Sequence, residues 1–201
     1  MSTPAIILAS KSPARRKVLA NAGVPFTWLD AGVDEAALKA RARESSSDTA
    51  TLALLLAEAK ALALAGKSNP EDIVIGCDQL LVQDGQLFDK PRTMAEARAH
   101  LRAFSGCMHE LVAAVCMVQD GRTVWSHVSR AGMCVRPLGD AFIDDYLERE
   151  GEQILSSVGA YLLEAGGAQL FERIDGDYFT VLGLPLLPLL EELRKRGILL
   201  A

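Results

Sequence analysis

The sequence predicts a mixed α/β sheet arranged in two lobes around a cleft. Three observations carry that expectation. An apolar segment runs straight into a Ser-Pro helix start over residues 5–16, a short continuous apolar run at 73–77 has the character of a buried central strand, and two Asp-Gly steps, Asp84-Gly85 and Asp120-Gly121, each sit between apolar runs. Helical stretches alternate with these strands, and no linker is long enough to force separate domains.

Taken in order, strand 5–9 leads into a helix over 13–22. Ser12 is a good N-cap, and Pro13 suits the first helical position, where a missing N–H costs nothing and the fixed φ is already helical. Gly23 and Pro25 stop it. An irregular acidic stretch with Asp30, Asp34 and Glu35 follows. The polar run Glu44-Ser45-Ser46-Ser47-Asp48 then caps a long alanine- and leucine-rich helix that contains Lys60, reaches Ala65 and stops at Gly66.

Strand 73–77 ends on Asp78-Gln79, and residues 80–88 fold about Asp84-Gly85 as a hairpin. After Lys90-Pro91, Thr93 caps a helix to residue 104, and Ser105-Gly106 breaks it. Segments 110–118 and 123–135 flank Asp120-Gly121 as a second hairpin, and Pro137 and Asp140 introduce a helix that ends near Gly151. In the last quarter, Gly159, Gly166, Gly167, Gly176 and Gly183 punctuate short strands, among them 168–174 and 178–182. A final helix over 186–196 is closed by Gly197.

Composition narrows the function. With 201 residues, half of them hydrophobic, the chain has ample material for a core. A formal net charge of -5 argues against a nucleic acid polymer as partner through a general basic surface, and favours a small anion in a local cationic site. Cys77, Cys107, Cys116 and Cys134 lack Cys-x-x-Cys spacing, and His100, His109 and His127 complete no zinc signature, so the cysteines read as reduced, buried thiols. No basic stretch precedes a long apolar run at the N-terminus. The most apolar windows, 52–64 and 182–190, are broken by Glu58 and Lys60 and by Gly183, Pro185 and Pro188, so neither spans a membrane. A cytoplasmic protein is the expectation.

The chemistry starts at the Ser-Pro turn. Unpaired N–H groups of a first helical turn and the positive end of the helix dipole face the strand's carboxyl end. Ser10, Ser12, Lys11, Arg15 and Arg16 surround that point, which reads as a polyphosphate cradle or, equally, as a capped helix with two solvated arginines. Asp78 at the end of a buried strand favours the first reading, because open α/β sheets place ligand chemistry there. Lys60 and Lys90 are weaker: a mid-helix lysine ordinarily reaches solvent, and Lys90 sits before a proline turn. Asp34 and Glu35 are either Mg²⁺ ligands beside substrate phosphates or a solvated acidic loop. His109 reads as a proton shuttle or a turn stabiliser, and Gly166-Gly167 as a close-approach point for a ligand or a tight turn.

Seven blocks in order resemble the Maf nucleotide pyrophosphatases: Leu8-Ala9-Ser10-Lys11-Ser12-Pro13-Ala14-Arg15-Arg16, Val33-Asp34-Glu35, Ala57-Glu58-Ala59-Lys60-Ala61, Ile75-Gly76-Cys77-Asp78-Gln79, Lys90-Pro91, residues 101–109, and Val181-Leu182-Gly183-Leu184-Pro185. The resemblance covers nearly the whole chain, so residues 1–201 are taken as a single Maf-like domain. It implies an elongated, twisted mixed sheet with flanking helices and a deep cleft, as in inosine triphosphate pyrophosphatases, and a cytoplasmic, often homodimeric enzyme. It further implies hydrolysis of a nucleoside triphosphate to the monophosphate and diphosphate with a divalent cation, Mg²⁺ or Mn²⁺, in the clearance of non-canonical or modified nucleotides.

Carried over by position, Asp78 is the general base or metal-linked carboxylate that activates water, Ser10, Ser12, Arg15, Lys60 and Lys90 hold the triphosphate, the two lysines counting with Asp78 as the catalytic set, and Glu35 helps Asp78 hold the metal. The subfamily acting on dTTP and UTP usually has Arg, Thr and Gln where this chain has Ala14, Gln79 and Glu164. Gln79 and Glu164 look instead like the subfamily acting on 7-methyl-GTP. That subfamily usually has Trp at the Ala14 position, and alanine cannot stack on a cationic base. The alternative reading is a nucleotide-sensing regulator of cell division that binds without turnover.

Overall fold

The computed structural model describes residues 4–44 and 48–200. In chain order the strands are β1 (Ile6–Ala9), β2 (Thr27–Trp28), β3 (Ile73–Gln83), β4 (Gln86–Phe88), β5 (Met108–Gln119), β6 (Arg122–Val135) and β7 (Phe171–Asp175). The helices are α1 (Pro13–Asn21), α2 (Glu35–Glu44), α3 (Thr49–Ala65), α4 (Met94–Phe104), α5 (Asp140–Glu150), α6 (Tyr178–Val181) and α7 (Leu186–Lys195). The sheet is ordered β2-β1-β3-β5-β6-β7, with β4 paired to β3. It is mixed: β1 is parallel to β2 and β3, whereas β3 with β4 and β6 with β7 are antiparallel. Among the described residues no helix is long and apolar enough to cross a membrane.

The chain divides into two compact units. The first comprises residues 1–79, 112–129 and 178–201, and the second residues 80–111 and 130–177. In the first, Ile73, Ile75 and Cys77 of β3 join Ile6 and Leu8 of β1, Val18 and Leu19 of α1, and Leu186, Leu189 and Leu193 of α7 in one apolar cluster. The alternation of a strand sends Gly76 and Asp78 to the opposite face. There α3 lies directly on β3: a Cβ on Gly76 would stand 2.0 Å from the Ala57 carbonyl oxygen and 2.9 Å from the Ala61 Cβ. Only glycine lets the helix come that close.

The second unit is built around aromatic side chains. Buried His109 on β5 packs tilted against Phe104 of α4, ring centroids 4.7 Å apart, and its Nε2 lies 2.8 Å from the hydroxyl of buried Tyr161. Arg98 of α4 grips Asp144 of α5 through Nε and Nη2, both at 2.6 Å.

Several local expectations hold in detail. Ser12 caps α1, accepting from the Arg15 N–H, Asp48 caps α3, and Thr93 caps α4. Both Asp-Gly turns have positive φ at each residue, 49° and 78° at Asp84-Gly85 and 49° and 68° at Asp120-Gly121, which matches a two-residue hairpin to the twist of its strands. Ser45, Ser46 and Ser47 of the polar run lie outside the described residues.

Five expectations are corrected. The acidic stretch is not irregular from Glu35 onward: Asp34 accepts from the Ala37 N–H at 3.0 Å and so caps α2. β3 does not end at Asp78, because Leu81, Val82 and Gln83 pair with β4 and draw the residues between into one continuous strand. Segment 178–182 forms helix α6 despite its strand-like composition, since the turn that follows it is held by side chains from elsewhere in the chain. The strand within 168–174 starts only at Phe171, after a 3-10 turn over Gly166–Leu170. The four cysteines are free, yet Cys107 is exposed at the α4–β5 junction.

Candidate functional site

The first unit gathers its chemistry at the carboxyl ends of β1 and the parallel half of β3. Registry pairs Ala9 with Gly76, so Ser10 and Asp78 lie one and two residues beyond that pair. Ser10 is buried, and its hydroxyl accepts from the Ser12 N–H at 3.3 Å, which closes the turn into α1. Ser12 in turn accepts from the Arg15 N–H at 3.5 Å. The first turn of α1 is therefore held by two serine hydroxyls, with half-exposed Ala14 between them and Arg15.

Lys60 is the largest departure from ordinary behaviour. It falls on the face of α3 that carries Leu56, Ala57, Ala61 and Leu64, and its side chain is 11% exposed where a helical lysine would reach solvent. An ammonium buried that deeply needs compensating charge. It receives two carboxylates: the Asp78 Oδ1, in a short contact, and the Glu35 Oε1 at 2.8 Å. Burial pulls the Lys60 pKa down, and the Asp78 and Glu35 carboxylates outweigh it against the opposing Arg15 charge, so the group stays above the ordinary lysine value. Asp78 is itself 7% exposed at its side chain, whereas Glu35 is 44% exposed.

Arg15 comes to the same place from α1. Its Nε donates to the Gly183 carbonyl at 2.8 Å and its Nη1 to the Cys77 carbonyl at 3.0 Å. Gln79 donates from Nε2 to the Thr180 and Val181 carbonyls at 2.9 and 3.1 Å. Sequence reasoning did not assign a role to the Thr180–Gly183 turn; the glycine at 183, with φ +86°, was its only local signal. Arg16 stacks its guanidinium 4.1 Å over the Trp28 ring, and Lys11 pairs with Asp30 at 3.2 Å, so neither of these cations joins Lys60.

Ser10, Ser12, Ala14, Arg15, Glu35, Lys60, Asp78 and Gln79 all belong to the first unit. Lys90 and Glu164 belong to the second, where both are exposed. His109 is no shuttle on the surface: burial lowers its pKa to about 4 and holds the ring neutral against Tyr161. The Gly166-Gly167 pair is a packing feature. The Gly166 N–H donates to Glu150 at 3.1 Å, and a Cβ on Gly167 would stand 2.5 Å from the Leu162 carbonyl oxygen.

Two carboxylates converging on one cationic point, with hydroxyls and a helix start beside it, match the hard oxygen donors that Mg²⁺ or Mn²⁺ takes together with substrate phosphates. Among the described residues no group of three or more His, Cys, Asp or Glu side chains forms a metal cage. Asp78 and Glu35 fit the sparser arrangement, in which phosphate oxygens complete the shell.

Comparison with known proteins gives the family. The family model described as Maf-like protein matches residues 5–196. The chain belongs to the Maf family. Among Maf relatives, a 7-methyl-GTP pyrophosphatase of Brucella suis biovar 1 (strain 1330) is 51% identical over 193 residues, 96% of each chain. A second 7-methyl-GTP pyrophosphatase, from Rhizobium meliloti (strain 1021), is 51% identical and covers 96% of this chain and 97% of its own. A nucleoside triphosphate pyrophosphatase of Caulobacter vibrioides (strain ATCC 19089 / CIP 103742 / CB 15) is 47% identical over 99% of both chains.

Proposed function

We propose that this Maf protein is a nucleoside triphosphate pyrophosphatase that releases diphosphate and leaves the monophosphate. The observation that carries the reading is buried Asp78, paired with and oriented by Lys60, beside a helix start built to receive an anion. A pure nucleotide binder gains nothing from a carboxylate at that position unless a metal bridges it to the phosphates.

In the proposed reaction, Asp78 accepts a proton from a water whose oxygen forms a bond to the α-phosphorus, while the bond from that phosphorus to its bridging oxygen breaks and the electron pair leaves on diphosphate. Lys60 fixes the Asp78 Oδ1, and in the proposed reaction the other carboxylate oxygen takes the proton. Arg15, anchored on two backbone carbonyls, presents its guanidinium to phosphate oxygens from a set orientation, and Ser10 and Ser12 keep the first-turn N–H groups aimed the same way. A divalent cation held by Asp78 and Glu35 would supply charge neutralisation at the phosphates. Lys90 and Glu164 are assigned to the leaving phosphates and to the base, respectively, on family position.

We take a modified purine triphosphate of the 7-methyl-GTP type as the first substrate to test, since two of the relatives at 51% identity carry that name. The cytoplasm and a homodimeric state complete the proposal. The test is diphosphate release, coupled to inorganic pyrophosphatase, over a panel of 7-methyl-GTP, GTP, dTTP and UTP with Mg²⁺ or Mn²⁺. Asp78→Asn should lower kcat by roughly 10² to 10⁴. The fold should survive that change because Lys60 keeps Glu35 at 2.8 Å. An unchanged rate removes Asp78 from this role, and a wild-type protein that turns over none of the panel is a binder.

A further inference from the structure

Tyr146 and Glu150 stand one turn apart on α5, and that helix face holds both ends of one loop of the second unit. The hydroxyl of buried Tyr146 donates to the Ala160 carbonyl at 3.5 Å, and the Glu150 Oε1 accepts from the Gly166 N–H at 3.1 Å. Between these points the chain is pinned again. Buried Tyr161 meets His109 through its hydroxyl, and the Leu162 carbonyl accepts from both the Ala165 and the Gly167 N–H at 3.1 Å. Ala160 sits at φ 55°, a left-handed conformation that costs a residue with a side chain and persists only where its surroundings impose it. At the tip of this braced turn, Glu164 is exposed.

Glu150 occupies an unfavourable place. It is the last residue of α5, where the helix dipole favours a cation, and both of its oxygens are committed, Oε1 to Gly166 and Oε2 to the Gln153 Nε2 at 3.2 Å. A Cβ on Gly166 would stand 3.2 Å from the Glu150 Cδ and closer still to its Oε1, so the carboxylate reaches the backbone only because residue 166 is glycine. We propose that Glu150 is a positioning residue for nucleobase selectivity, an inference that rests on the assignment of Glu164 to the base in the pyrophosphatase reading: Glu150 braces the 162–167 turn and so presents the Glu164 carboxylate in one orientation. A carboxylate held in this way matches the guanine edge, where the N1–H and the exocyclic amine offer two adjacent donors. Uracil and thymine offer one N–H between two carbonyls, which repel the second oxygen. Loosening the turn therefore costs guanine nucleotides and spares the others. The loss falls on KM, because a base contact is made in the ground state and the transition state alike.

The test compares Glu150→Ala, which removes the acceptor, with Glu150→Gln, which keeps an oxygen for the Gly166 N–H, and with Glu164→Ala. In Glu150→Ala, hydrogen exchange at the Ala165, Gly166 and Gly167 amides should rise roughly 10-fold with the rest of the chain unchanged. Its kcat/KM should fall roughly 10-fold for 7-methyl-GTP and GTP, through KM, and stay at the wild-type value for UTP and dTTP. The Ki of inorganic tripolyphosphate, which has no base, should not change. Glu150→Gln should restore both exchange and selectivity, and adding Glu150→Ala to Glu164→Ala should cost nothing more. Unchanged exchange in Glu150→Ala, or a Gln variant as poor as the Ala variant, overturns the clamp. Raised exchange with selectivity intact, or a loss shared by UTP and tripolyphosphate, overturns the positioning role. Selectivity indifferent to Glu164→Ala overturns the base assignment, and a wild-type protein without turnover overturns the pyrophosphatase reading. Either removes the positioning role with it, while the exchange result separately decides whether Glu150 holds the turn.

Discussion

Lys60 and Asp78 depend on each other unequally. Lys60 has two carboxylate partners, and one of them, Glu35, is exposed enough to turn toward water when its partner is lost. Asp78, 7% exposed at its side chain, has no such escape. Lys60→Met leaves a buried carboxylate without its ammonium, which costs roughly 3 kcal/mol or more, whereas Asp78→Asn leaves Lys60 on Glu35 and costs far less. The double variant Lys60→Met, Asp78→Asn should recover part of the first loss, because it removes the uncompensated charge. Urea unfolding of the three variants checks the order, and a Lys60→Met protein within 1 kcal/mol of wild type, on the order of a surface pair, would sink the argument. The pH window follows from the sign. The Lys60 pKa is raised above its ordinary 10.5, so its stabilisation is complete below that value and is lost only as pH climbs through the folded value. Lys60 contributes no titration to a rate profile recorded between pH 6 and 9.

At the scale of the element, the contact that creates this pair is the one between α3 and β3. Gly76 and Asp78 share a strand face, and Ala57 and Lys60 share a helix face one turn apart, so the close approach at Gly76 also brings the ammonium to the carboxylate. Gly76→Ala drives a Cβ into backbone 2.0 Å away and must push α3 off the sheet. A stability loss of roughly 3 kcal/mol or more is expected, and Lys60→Met introduced into Gly76→Ala should cost less than in wild type, because the pair is already parted. Full additivity in urea unfolding would show that the helix approach does not govern the pair. This contact also marks the limit of what was legible. Helices with a capping residue and both Asp-Gly hairpins were readable because their signals are local: Ser12, Asp48 and Thr93 for the caps, positive φ at Asp-Gly for the turns. The burial of Lys60 and the helical state of Tyr178–Val181 were not, since each is decided by residues 18 or more positions away. Ser10, Arg15, Lys60 and Asp78 could be proposed from residue type and family position, but the engagement of Arg15 and Gln79 with backbone carbonyls has no sequence signature at all.

For the whole molecule, the chain passes between its two compact units four times, three of them inside β3, β5 and β6. Strands shared in this way argue that the units unfold together, and His109 offers a test. It lies in the second unit, 2% exposed, while both tryptophans, Trp28 and Trp125, lie in the first. Burial depresses the His109 pKa from 6.5 to about 4, so the unfolded chain binds a proton that the folded chain refuses between those values. Stability is therefore complete above pH 6.5, falls as pH drops toward 4, and by then has lost roughly 3 kcal/mol through this group. His109→Gln, which keeps a partner for the Tyr161 hydroxyl at 2.8 Å, should flatten that slope. If the units unfold as one, the flattening appears in the tryptophan fluorescence of a unit that does not contain His109, and it coincides with the far-ultraviolet dichroism transition. A tryptophan transition indifferent to the substitution, alongside a dichroism transition that responds, would show that the units unfold independently despite their shared strands.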